Sequence, residues 1–141
     1  MSIMSDNDRD QIRKILDGME HPVKLINFTQ TFECDSCHDT RTILEELVEI
    51  SDKLSLEVLN FATDKEQAEA YGIDKIPATV IEGERDYGLR FYGPPEGYEF
   101  ASLLDTILLA SKRDSGLAAE SKQALEPITQ RIHLEVLVTP T

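Results

Sequence analysis

The amino-acid sequence predicts a three-layer α/β/α sandwich on a mixed central sheet of about four strands. Two patterns lead there. Apolar spacing alternates between helical and strand periods in the order α-β-α-β-α-β-β-α. The first strand–helix–strand unit then implies parallel pairing through a right-handed crossover, while a later hairpin adds antiparallel strands. A length of 141 residues with 40% hydrophobic content fits one domain with one sizeable core.

Each element has its own signal. Ile12, Ile15, Leu16 and Met19 recur at helical spacing within Asn7 to Met19, Ser5 and Asp8 form a capping-box pattern, and Pro22 is the expected stop. Val23 to Phe28 is apolar on both sides and reads as a central strand. After the loop Gln30 to Glu33 and the sequence CDSC, Ile43, Leu44, Leu47 and Val48 mark a helix over Thr42 to Ile50. Leu54, Leu56 and Val58 alternate as a second strand, and Thr63 to Tyr71 reads as a short polar helix capped by Thr63 and stopped by Gly72. Pro77 opens a third strand through Ile81. A turn over Glu82 to Tyr87 leads to a fourth, Leu89 to Tyr92. Gly93 to Gly97 breaks the chain before Phe100, Leu103, Leu104, Ile107 and Leu108, which predict its most strongly amphipathic helix. A short helix is expected within Leu117 to Leu125, and Ile132, Leu134, Val136 and Val138 alternate as a half-buried strand. Residues 1–114 thus read as the domain, and 115–141 as a linker helix plus the leading strand of a further unit. An unpaired strand over 131–138 invites self-association.

Charge narrows the function. Lys and Arg number 14 against 27 Asp and Glu, a net charge of −13, which repels nucleic acid and anionic membrane surfaces. No apolar run approaches the ~20 residues of a membrane span. The N-terminal residues lack a basic lead into an apolar stretch. A soluble, cytoplasmic protein is expected.

The two cysteines, Cys34 and Cys37, stand where a strand passes into a helix. A disulfide scaffold would spread several pairs along the chain, and a bridge this short stabilises little, so chemistry is the better reason for the pair. Unpaired N–H groups and the dipole at a helix start favour a thiolate. Cys34 is expected to attack a substrate disulfide and Cys37 to resolve the mixed disulfide. Glu33, Asp35 and Asp39 oppose this. A carboxylate ~7 Å away in water costs the thiolate roughly 0.6 kcal/mol, against about 0.3–1 kcal/mol gained from the helix terminus. Moderate acidification follows, with the poise of a reductant or isomerase. His38, four residues after Cys34, is expected on the same helical face, either assisting the thiolate or facing solvent. It also completes C-x-x-C-H, the haem c attachment pattern, but the three methionines all lie within residues 1–19 and offer no evident axial ligand. A zinc site would have to add His21 or His133 to Cys34, Cys37 and His38. No metal is expected.

Lys75-Ile76-Pro77 follows at the start of the third strand. Proline there donates no ladder hydrogen bond, and a cis Ile76–Pro77 bond would leave the Ile76 backbone available to an extended substrate beside the thiols.

CDSC after a strand, followed by YGIDKIPATVI, resembles the thioredoxin superfamily, with its redox motif and cis-proline loop. RDYGLRFYGPPEGYEF and the apolar helix after it resemble a narrower group, the N-terminal unit of glutaredoxin-like protein disulfide oxidoreductases. HLEVLVTPT resembles the first strand of that group's second unit. The resemblance implies a thioredoxin-like fold and an enzyme that reduces or rearranges protein disulfides. It also implies no cofactor beyond the Cys34–Cys37 pair, and a flavoprotein thioredoxin reductase or a peroxidase as redox partner. The related N-terminal module of alkyl hydroperoxide reductases implies an alternative, a non-catalytic electron relay or partner-binding module. The chain departs from thioredoxin in having no tryptophan, in placing Asp35-Ser36 between the cysteines, and in carrying Asn27 but no acid on the preceding strand. Lys75 is the one basic residue beside Pro77, so the resemblance favours protein disulfides over glutathione.

Overall fold

The structure, a computed structural model, describes residues 2–139. Helix α1 (Asp6–Leu16) starts at the expected capping box. The Ser5 hydroxyl accepts from the Asp8 N–H, and the Asp8 carboxylate accepts from the Ser5 N–H. It ends at Leu16, well before Pro22, and Met19 is buried from the following turn. Strands β1 (Val23–Thr29), β2 (Leu54–Asn60), β3 (Ala78–Glu82) and β4 (Asp86–Tyr92) form one sheet in the order β2-β1-β3-β4. β1 pairs parallel with β2 and antiparallel with β3, which pairs antiparallel with β4. The fold is α/β with a mixed four-stranded sheet, as its apolar periodicities require.

Alternation along β1 divides the core. Val23 and Leu25 face helices α1, α2 (Cys37–Val48) and α4 (Tyr98–Lys112), where Ile12, Leu16, Leu44, Leu47, Leu103 and Ile107 close over them. Ile26 and Phe28 face α3 (Lys65–Ala70) with Ala68, Ile73, Ala78 and Val80. Both faces of β1 are therefore buried, which explains its continuous apolar run.

Several boundaries differ from expectation for local reasons. α2 begins at Cys37, not Thr42, because its first turn is polar and leaves no apolar period to read. Asp64 replaces Thr63 at the α3 N-cap, its carboxylate accepting from the Asn60 N–H at 2.7 Å. β4 starts at Asp86, which shortens the hairpin turn. α4 is not the most amphipathic helix. Leu109 is exposed on its outer side, and α1 separates its faces more sharply. The strand expected over Ile132–Val138 does not form. Helix α5 (Ala119–Leu125) is exposed throughout, and residues 131–139 have no regular structure. Alternation specifies a strand only where another strand supplies the ladder, and among the described residues none pairs with this segment. Among the described residues no helix is long and apolar enough to cross a membrane.

Two buried polar side chains tie the layers together. The Ser111 hydroxyl accepts from the N–H groups of Glu20 (2.8 Å) and His21 (3.0 Å) and donates to the His21 carbonyl (2.8 Å). Ser111→Ala strands these groups and is expected to cost about 2 kcal/mol in urea unfolding. The buried Glu46 carboxylate accepts from the N–H of Ile3 (2.6 Å) and Met4 (2.8 Å), holding the N-terminal segment against α2. Burial opposes its ionisation. The N–H groups of Met4 and Ile3, with Ser2 and Arg9, outweigh that and hold the carboxyl below its ordinary value of 4.5. A lowered folded-state pKa stabilises above the unfolded value and loses that stability as pH falls through the folded value. Glu46→Gln is therefore expected to be less stable than the parent at about pH 6, with the gap closing toward about pH 3 in urea titrations.

Candidate active site

The site begins where β1 ends. Gln30 turns the chain, its Nε2 donating to the Phe32 carbonyl, and Glu33 takes a left-handed conformation (φ 54°) directly before Cys34. Few non-glycine residues adopt that region. Cys34 and Cys37 are joined by a disulfide, with Cα atoms 5.5 Å apart. The Cys37 N–H, at the first residue of α2, donates to the Cys34 carbonyl at 3.4 Å. Thr40, one turn in, anchors this end of the helix, its hydroxyl donating to the Ser36 carbonyl at 2.8 Å. The two cysteines differ in exposure: Cys34 is half-buried, whereas Cys37 is only 1% exposed.

Charge around the pair is negative. Glu33, Asp35 and Asp39 are exposed, and none forms a salt bridge among the described residues. His38 is exposed on the first turn of α2. Cys34 precedes the helix, so helical spacing does not relate it to His38, but His38 lines the same cavity as Cys34 and Cys37. His21 and His133 do not complete a zinc site, since among the described residues no three or more His, Cys, Asp or Glu side chains are grouped to hold a metal.

Antiparallel pairing of β1 with β3 brings the start of β3 to the end of β1, with Ala78 opposite Phe28. The Ile76–Pro77 bond is cis, and Pro77 thus lies at the same end of the sheet as the disulfide. The Pro77 carbonyl accepts from the Gly93 N–H at 2.9 Å, while neither backbone group of Ile76 is hydrogen-bonded among the described residues. Lys75 pairs with Asp74 at 3.0 Å and sits over the Tyr92 ring, 5.2 Å from its centre. Gly93 has a φ of 84° and lets β4 turn away beside the proline.

Sequence reasoning missed the other flank. A cavity of about 470 Å³ opens on the β2 side of the disulfide, lined by Thr29, Cys34, Cys37, His38, Arg41 and Asn60 among others. It also missed Phe32, 78% exposed, and Tyr98, 85% exposed, at this same end. An aromatic two residues before the first cysteine in a loop that joins no core was the available signal for Phe32. Beneath α2, Asn27 and Thr79 are cross-strand partners and fully buried. Asn27 donates to the Ala78 carbonyl at 3.1 Å, but its Oδ1 and the Thr79 hydroxyl have no partner among the described residues. The strand thus carries a neutral amide and no acid.

Among known proteins, no family model and no curated protein matches the chain. Solved structures do. A protein disulfide oxidoreductase from Aeropyrum pernix K1 is 28% identical with a TM-score of 0.88, covering 96% of this chain and 60% of its own. An alkylhydroperoxide reductase from Enterococcus faecalis is 22% identical with a TM-score of 0.74, covering 86% of this chain and 59% of its own. A Fasciola hepatica thioredoxin, at 19% identity and a TM-score of 0.51, shares the fold over 70% of this chain. The chain spans about 60% of the length of the disulfide oxidoreductase it matches. With its disulfide between Cys34 and Cys37, it has a thioredoxin-like fold and is similar to a protein disulfide oxidoreductase.

Proposed function

We propose that this chain is a thiol–disulfide oxidoreductase that reduces or rearranges protein disulfides. The observation that carries the reading is a disulfide at a helix start, beside an open cavity, between a half-buried Cys34 and a buried Cys37. In the reduced form, the Cys34 thiolate attacks a substrate disulfide and the first substrate thiolate leaves. The Cys37 thiolate then attacks the Cys34 sulfur, releasing the second substrate thiol and restoring the disulfide. Two electrons pass to the substrate, and the departing thiolates take up two protons. Ile76 offers its unpaired backbone groups to an extended substrate strand, with Pro77 holding the loop. Lys75 borders that strand, and Glu33, Asp35 and His38 set the charge around Cys34.

A flavoprotein thioredoxin reductase would recharge the pair, and a peroxidase is a second redox partner. Similarity to the Enterococcus faecalis alkylhydroperoxide reductase supports a relay reading, in which the chain passes electrons to a neighbouring unit. Insulin reduction by dithiothreitol separates the two. An enzyme accelerates the appearance of free insulin chains, whereas a rate equal to dithiothreitol alone overturns the enzymatic reading.

A further inference from the structure

The disulfide end of the sheet carries two features that the exchange chemistry itself does not use. One is aromatic surface: Phe32 and Tyr98 are far more exposed than rings of their size usually are, and Tyr92 is partly exposed beside Lys75. The other is uncompensated negative charge. Glu33 and Asp35 flank Cys34 in sequence, Asp39 lies on the first turn of α2, and Glu96 and Glu99 lie beside the start of α4. None of these five carboxylates forms a salt bridge among the described residues. Two of the cations at this end are already matched, Lys75 by Asp74 and Arg41 by Glu45.

One side-chain chemistry answers both features. A lysine or arginine pairs with carboxylates and also stacks its charged group over an aromatic face. Resting on the oxidoreductase reading above, we propose that the substrate class is disulfides carried on cationic segments, with Lys or Arg flanking the substrate cysteine. Glu33 and Asp35 then supply attraction that salt screens, because they are exposed and the Debye length is about 8 Å at physiological ionic strength. Phe32 supplies contact that salt does not screen. An acidic segment would meet like charge at the point of attack and gain nothing from the rings.

The test uses the full chain, reduced, and three synthetic disulfide-linked peptides in which the cysteine is flanked by lysines, serines or glutamates. Single-turnover rates are measured by stopped flow and divided by each peptide's rate with dithiothreitol, which cancels leaving-group differences. The normalised lysine rate is expected to exceed the glutamate rate about fivefold or more at low salt, with the ratio shrinking as ionic strength rises. The double variant Glu33→Gln, Asp35→Asn is expected to flatten that salt dependence. Phe32→Ala is expected to lower the lysine rate at high salt as well. Equal normalised rates, or a ratio that the double variant leaves unchanged, overturn the proposal while the serine rate upholds the oxidoreductase reading. No reaction with the serine peptide overturns that reading and the proposal together.

Discussion

Cys34→Ser is expected to reduce insulin no faster than dithiothreitol alone, because the hydroxyl that replaces the reachable thiol is not ionised near neutral pH. Cys37→Ser keeps the sulfur proposed to attack and loses the one proposed to resolve. It is expected to accumulate a mixed disulfide with substrate, visible as a mass shift that vanishes on adding excess dithiothreitol. The two variants remove the same disulfide, so any cost of losing the bridge is common to both. Their difference therefore reports the division of labour between the sulfurs. An undiminished rate for the Cys34 variant would remove the basis for the assignment.

Phe28→Ala is expected to be among the most damaging core substitutions, at about 3–5 kcal/mol, in a protein class whose total stability is about 5–15 kcal/mol. The ring is fully buried between β1 and α3, its centre 6.0 Å from that of Tyr71. α3 has only six residues and is, among the described residues, the one helix packed on that face, so little structure is available to collapse into the space left behind. Phe28 also precedes the site loop by a few residues and lies opposite Ala78, the neighbour of Pro77. Urea unfolding followed by circular dichroism measures the loss. A change below about 1 kcal/mol would mean that the sheet and α3 close the gap.

What is legible in the sequence follows from which forces are local. β1 is readable because both its faces are apolar, and the cysteine pair because its spacing and position before a helix carry chemistry. Less readable are features that depend on contacts distant in the chain or on backbone alone. The first turn of α2 is held by the Cys34 and Ser36 carbonyls rather than by an apolar stripe, so apolar periodicity places its start five residues late. Glu46 reads as an ordinary surface acid, and only folding brings it to Ile3 and Met4, more than forty residues away. Ile132 to Val138 shows the converse. Its period is right for a strand, yet pairing is a property of two segments, and the described residues provide one. His38 and Cys34 line one cavity, but the loop before α2 rather than helical spacing brings them there, since Cys34 is not helical.

If the chain exchanges disulfides as proposed, the difference in exposure between Cys34 and Cys37 also fixes the order of events. With Cys37 only 1% exposed, whatever delivers electrons and whatever accepts them must both come to Cys34. On that reading donor and acceptor could not be held at once, and each would have to depart before the other docked. A surplus of either would then slow the cycle by occupying the doorway, so throughput would peak at a balanced supply of the two rather than rise without limit with one.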